Sequence, residues 1–314
     1  MTKKIFPVLL FITFLICAAS CGYSPPAASG ERLNIVATNF PAYDFCRALA
    51  GEHADITMLL SPGEESHSFD PTPMDILKLH NADLFVYGGG ESDEWAEKIL
   101  TSADKKIPAV KMMDYVGKYE EEIVEGMEVR GGENGGEDEE YDEHIWTSPV
   151  NTVLICEGIT EALCRLDEKN AGAYRSSSQL YIEKLKVLDM AFKRIVQSGK
   201  RNELIFADRF PLLYFVKEYG LEYSAAFPGC SGETEASPAT LGYLINKIQN
   251  TQTPYILKIE MSSDSMAKSI AGQTGAEILT FYSCQSISQN DFENGETYLS
   301  LMEKNLDTLY KALN

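Results

Sequence analysis

Short apolar runs alternate with helix-length segments twice over in this chain, and that alternation limits the fold more than any other feature. In the first half the runs fall at 33–38, 56–60, 84–87 and 108–112, with helix-type segments at 42–50, 73–81 and 93–102 between them. In the second half the runs at 204–207, 223–227, 255–259 and 278–281 are interleaved with helix-type segments at 212–219, 238–250 and 265–274, and a last one covers 291–313. Strands separated by helices of this length build βαβ units, and βαβ units build parallel sheets. A run such as Leu84-Phe85-Val86-Tyr87 has no polar alternation, which suits a strand buried on both faces. Between the halves, Tyr181, Leu185, Leu188, Phe192 and Ile195 form one apolar stripe at helical period. A helix over 168–199 would be about 45 Å long, enough to run along two lobes. The expected fold is therefore α/β, with two lobes of parallel sheet joined by a long rigid helix. Loops at the carboxyl ends of the strands would line a ligand cleft between the lobes.

The first twenty residues read as a targeting segment. Lys3 and Lys4 precede an apolar stretch over 5–19, too short to span a bilayer comfortably. Small residues then lead into Cys21, a pattern that looks like a lipoprotein processing site. Residues 21–31 have the Pro/Ser/Ala/Gly composition of a flexible tether. The expected organisation is a leader over 1–20, the tether, a first lobe over 32–167, the connecting helix over 168–199, and a second lobe over 200–314.

One segment of the first lobe breaks the α/β pattern. Residues 117–143 contain twelve carboxylates against Lys118 and Arg130, with four glycines over 131–136. Such a composition predicts a mobile acidic loop, and a weak antenna for cations. The whole chain carries a net charge of −20, which argues against nucleic acid and anionic lipid surfaces as partners. Beyond the leader, five cysteines remain and no CxxC motif occurs. Cys156 and Cys164 sit in an apolar helical stretch and read as core. Cys230 and Cys284 each follow a strand, and are the pair expected to form a bridge. Trp95 and Trp146 are expected to pack at lobe surfaces.

Among four histidines, two occupy informative places. His67 lies in a polar loop after the second strand, on a backbone stiffened by Pro62, Pro71 and Pro73. His144 follows the acidic segment in Asp142-Glu143-His144-Ile145-Trp146. Asp208 and Arg209 end the strand over 204–207, and Glu260 ends the strand over 255–259. All would fall at the loops an α/β cleft gathers. Two imidazoles with carboxylate oxygens suit zinc, with manganese as the alternative.

With these residues in view, the chain resembles the metal-binding lipoproteins that serve bacterial zinc and manganese ABC importers. The resemblance runs over 33–314. It rests on HSFDPTP at 67–73, ADLFVYGG at 82–89, DEHIWTSP at 142–149, Tyr219-Gly220-Leu221 and Glu260, with AAFPGCSGETEAS at 225–237 like a Gram-positive branch. It implies two α/β lobes with a metal at their interface, and His67 and His144 as ligands. It also implies a third histidine where Arg209 stands, and a further ligand after the last strand, where Tyr282 stands. Asp208 and Glu260 are the carboxylates expected to make up the set.

The expected function is a lipid-anchored receptor on the outer face of the cell membrane, held through Cys21. It would act as a monomer and deliver a divalent metal ion to an ABC permease. Two other functions fit parts of the sequence. A paralogue with a weakened site could act as an adhesin or sensor, and a chelatase-like enzyme would also place His and Glu in a cleft. No GxSxG, P-loop or HExxH motif supports an enzyme.

Overall fold

The computed structural model describes residues 32–103, 106–127, 141–231 and 236–314. Cys21, the tether and residues 128–140 of the acidic segment lie outside the described residues.

Two four-stranded parallel sheets organise the body 32–314. The first contains β1 (Leu33–Ala37), β2 (Ala54–Met58), β3 (Leu84–Tyr87) and β4 (Ala109–Lys111), in the order β2-β1-β3-β4. The second contains β5 (Glu203–Phe210), β6 (Glu222–Pro228), β7 (Tyr255–Ile259) and β8 (Glu277–Phe281), in the order β6-β5-β7-β8. The two orders are the same, so each half reverses its winding at its first strand. Ligands of open α/β sheets bind at such switch points, beyond the carboxyl ends of the strands.

The first half carries α1 (Phe40–Ala50), α2 (Pro73–His80) and α3 (Glu94–Ser102). Asn39 caps α1, and Thr72 with Asp75 forms a reciprocal capping box on α2. These caps fix where the chain leaves the loops at the carboxyl ends of β1 and β2. Two long helices follow, α4 (Pro149–Leu166) and α5 (Ala171–Ser198). A 3-10 turn over Glu168–Asn170 precedes α5, so the α-helix starts slightly later than the apolar stripe predicts. Tyr181, Leu185, Leu188 and Phe192 of that stripe are buried. They belong to one apolar core that runs from Ile35 of the first sheet through α4 and α5 to Phe206 of the second. The halves thus share packing as well as a connecting helix.

The second half adds α6 (Leu213–Tyr219), α7 (Pro238–Thr251), α8 (Ser265–Thr274), α9 (Gln289–Glu293) and α10 (Tyr298–Leu313). The single helix expected over 291–313 is two helices. Thr297 and Ser300 form a capping box that restarts the chain as α10, and the amide of Tyr298 is taken by the buried carboxylate of Asp44 at 2.9 Å.

Three further expectations are corrected. Cys230 and Cys284 are free thiols. Cys284 is buried in the shared core, while the Cys230 amide donates to Glu121 at 2.7 Å beside the acidic segment. Trp146 is 2% exposed rather than superficial. The end of the acidic segment departs from the expected mobile loop: Asp142 and Glu143 are buried, because their carboxylates have partners inside the protein.

Gly158, in the interior of α4, allows a close approach. A Cβ built there would lie 2.2 Å from the Tyr115 ring. Gly158→Ala is expected to destabilise the fold by about 1–3 kcal/mol through overpacking, despite the better helix propensity of alanine. Urea unfolding with an unchanged m-value would measure it.

Candidate metal centre

His67 sits in a 3-10 turn over Ser66–Ser68, between β2 and α2. His144 immediately precedes a second 3-10 turn, Ile145–Thr147, which leads into α4. The two imidazoles are 5.7 Å apart, centroid to centroid, at 60°. Glu143 completes the group. One ligand-type atom from each of His67, Glu143 and His144 falls within 4.8 Å of the others, the only such cluster among the described residues.

His144 is fully buried. Its Nδ1 faces Asp142 Oδ1 at 3.2 Å, and its backbone amide donates to the same oxygen at 2.8 Å. An acceptor there places the proton on Nδ1 and leaves Nε2 as a lone pair. That Nε2 has no hydrogen-bond partner in the protein. An unpartnered buried polar atom costs about 1–3 kcal/mol, so its persistence here fits a ligand aimed at an ion.

Glu143 is buried and oriented by α3's entry turn. Its Oε2 accepts from the Ser92 amide at 3.1 Å, and Oε1 accepts from the Ser92 hydroxyl. The same Oε1 lies 3.3 Å from His67 Nδ1. Two atoms bound to one tetrahedral zinc at about 2.0–2.1 Å stand about 3.3 Å apart. The carboxylate reaches this place because residue 90 is glycine, at φ +85°. A Cβ there would come within 2.6 Å of Glu143 Oε2.

The protonation states suit a cation. Burial, together with the His144 and Arg209 charges, pushes the His67 imidazole down to about 4, against the opposing pull of Glu65 and Asp142. Burial also opposes charging of His144, but the Asp142 carboxylate outweighs it and holds that imidazole above its ordinary range. Burial raises the Glu143 carboxyl, with His144 and Ser92 working against the rise. A metal must displace the proton from His144, whereas His67 is already neutral. Zinc affinity is therefore expected to fall as pH drops from 8 to 5.5, by about tenfold per unit once His144 is protonated. Competition titrations at four pH values would show the slope, and a flat profile would contradict it.

The second sheet supplies the opposite wall, where the expected carboxylates Asp208 and Glu260 accept hydrogen bonds from neighbouring backbone amides. Asp208 accepts from the amides of Arg209 and Ile259, at 2.9 and 3.2 Å. Glu260 accepts from the amide and hydroxyl of Ser283, at 2.7 and 2.8 Å. Both carboxylates fix backbone, and neither joins the His67–Glu143–His144 group. Tyr282 also stands apart: its amide and carbonyl are held by Asn305, and its ring lies near Lys304. Gln285, three residues on, reaches His67 instead, with its side-chain nitrogen 2.9 Å from Nε2. Arg209 pairs with Glu65 across the cleft. Sequence reasoning missed Glu143 as a ligand candidate, because it counted that residue with the acidic loop. Its adjacency to His144 was the available signal.

The family described as "ZnuA: Zinc-uptake complex component A periplasmic" matches residues 35–312. The zinc-binding lipoprotein AdcA of Streptococcus pneumoniae is 31% identical over 303 residues, covering 94% of this chain and 60% of the relative. This chain thus spans about three fifths of the AdcA relatives it matches. The high-affinity zinc uptake system protein ZnuA of Bacillus subtilis is 28% identical over 321 residues, covering 100% and 99%. The crystal structure of the Zn(II)-bound ZnuA-like domain of Streptococcus pneumoniae AdcA superposes with a TM-score of 0.75 at 28% identity, over 90% of this chain and 99% of that domain.

Proposed function

The chain belongs to the ZnuA family of zinc-uptake components, and on that footing we propose that it is the extracytoplasmic receptor of an ABC importer, with zinc as its cargo. The family is one of solute-binding receptors rather than enzymes. In this reading His67, Glu143 and His144 hold the ion, and Asp208 and Glu260 hold the opposing loops in place. The unpartnered Nε2 of His144 is the observation that carries it. Capture needs no bond chemistry beyond exchange of the ion's water for imidazole and carboxylate. Asp142 orients His144, Ser92 orients Glu143, and the three prolines stiffen the loop that carries His67.

Lipidation of Cys21, anchoring to the outer membrane face, a monomeric state and docking to a membrane permease complete the proposal. The lipoprotein name of the AdcA relatives supports the anchor, for that protein by its own name. We assign 32–167 and 200–314 to the two lobes, with 168–199 joining them. Metal-free protein titrated with zinc against a chromophoric competitor should bind one ion per chain in the nanomolar range, at about −12 kcal/mol. Absence of binding, with the protein folded, would reject the reading.

A further inference from the structure

The second lobe meets the histidine pair with a guanidinium and a carboxamide, where a bare dication calls for anionic or imidazole donors. Arg209 lies in β5, its side chain 18% exposed. It is close enough for its charge to bear on both His67 and His144. A guanidinium keeps its charge at every working pH and offers no lone pair to a metal. A dication brought beside it is repelled, and the Glu65 partner offsets part of that repulsion.

Two more observations point the same way. Three donors from one lobe leave a tetrahedral ion one position short. Of the three, His67 lines a cavity of about 440 Å³, together with Glu64, Glu65, Arg209, Ser262 and Gln285 among others. One water takes about 30 Å³, and pockets for small organic molecules begin near 300 Å³. The volume is that of a small-molecule site, not of an ion alone. Asp208 and Glu260 also line it, but their carboxylates are engaged with backbone amides. The cavity therefore offers an anion one cationic fork and several hydroxyl and amide groups, beside the carboxylates of Glu64, which accepts from the Ser61 amide, and Glu65, which pairs with Arg209.

Resting on the zinc reading above, we propose that the cargo is the ion together with a small carboxylate chelator. A carboxylate oxygen of the chelator fills the fourth coordination position and lies against Arg209, and its remainder occupies the cavity. The planar fork suits a carboxylate, and Glu65 engages only Nη2 of its nitrogens.

The test is zinc titration of the metal-free protein at fixed free zinc, alone and with citrate or L-histidine, with native mass spectrometry of each complex. A chelator that merely competes lowers total binding but leaves affinity at fixed free zinc unchanged. The proposal expects one of the two probes to tighten that affinity at least about tenfold, the value of one charge-assisted hydrogen bond. The complex should then weigh one zinc plus one chelator. Arg209→Met should abolish the gain while zinc alone binds at least as tightly as to the parent, and Arg209→Lys should restore part of the gain. Unchanged affinity at fixed free zinc with both probes, and a mass of protein plus zinc only, would overturn the chelate proposal and leave the zinc receptor standing. No zinc bound under any of these conditions would overturn both.

Discussion

Replacing both imidazoles, His67→Ala with His144→Ala, is expected to weaken zinc binding by roughly 10⁴-fold or more. Apparent binding free energies of well-formed zinc sites run to about 10–16 kcal/mol, or about 3 kcal/mol per ligand over four ligands. Two lost ligands then remove about 6 kcal/mol, at about 1.4 kcal/mol per factor of ten. What remains is Glu143, one carboxylate in a buried place. Folding is the necessary control, because His144 is fully buried and anchors Asp142, whereas His67 is on a loop and packs less deeply. A competition titration beside a thermal melt separates the two effects. His67→Ala alone should weaken binding by roughly 10²-fold on the same arithmetic, with little change in melting temperature. A double variant that binds within tenfold of the parent would place the zinc elsewhere.

The second large effect is on the fold that builds the site. Trp146 is 2% exposed, and it ties the His144 segment to the second half at two points. Its indole nitrogen donates to the Ser283 carbonyl at 3.0 Å, in the loop that carries Gln285. Its own carbonyl accepts from the Tyr298 hydroxyl at 2.7 Å, at the start of α10. Trp146→Ala removes a large buried side chain and leaves the Ser283 carbonyl without that donor. The expected loss is about 3–5 kcal/mol of stability, read by urea unfolding. Trp146→Phe keeps most of the packing and loses the donor, so its cost should be nearer 1–2 kcal/mol. If Trp146→Ala cost under about 1 kcal/mol, the shared core would not be what holds the two halves together.

Much of this fold could be read before any coordinates. The eight apolar runs overlap the eight strands among the described residues, most plainly where a strand is buried throughout, as β3 is, and so leaves a continuous apolar signal. The break before α10 was hidden because nothing in the periodicity over 291–313 shows that Asp44, far away in the chain, accepts from the Tyr298 amide. Trp146 was misplaced for a related reason, since its hydrogen-bond partner is Ser283 in the other half. At the site, His67 and His144 stood out because neutral imidazoles in stiff loops are uncommon. Glu143 did not, because as one carboxylate among twelve its only local mark is its adjacency to His144. Only Gly90 and Ser92, contributed by a different loop, turn it inward. Asp208 and Glu260 end strands as expected, but a strand end is also where backbone amides need acceptors, and that is where their oxygens go.

The most direct test of the metal centre is zinc K-edge X-ray absorption on the one-to-one complex, compared with Glu143→Gln. Two imidazole ligands and a coordinating oxygen at about 2.0–2.1 Å, no sulfur, and a coordination sphere that changes in the variant are the expected result. A spectrum without paired imidazole scattering, or one identical in the Glu143→Gln protein, would contradict a site built from His67, Glu143 and His144.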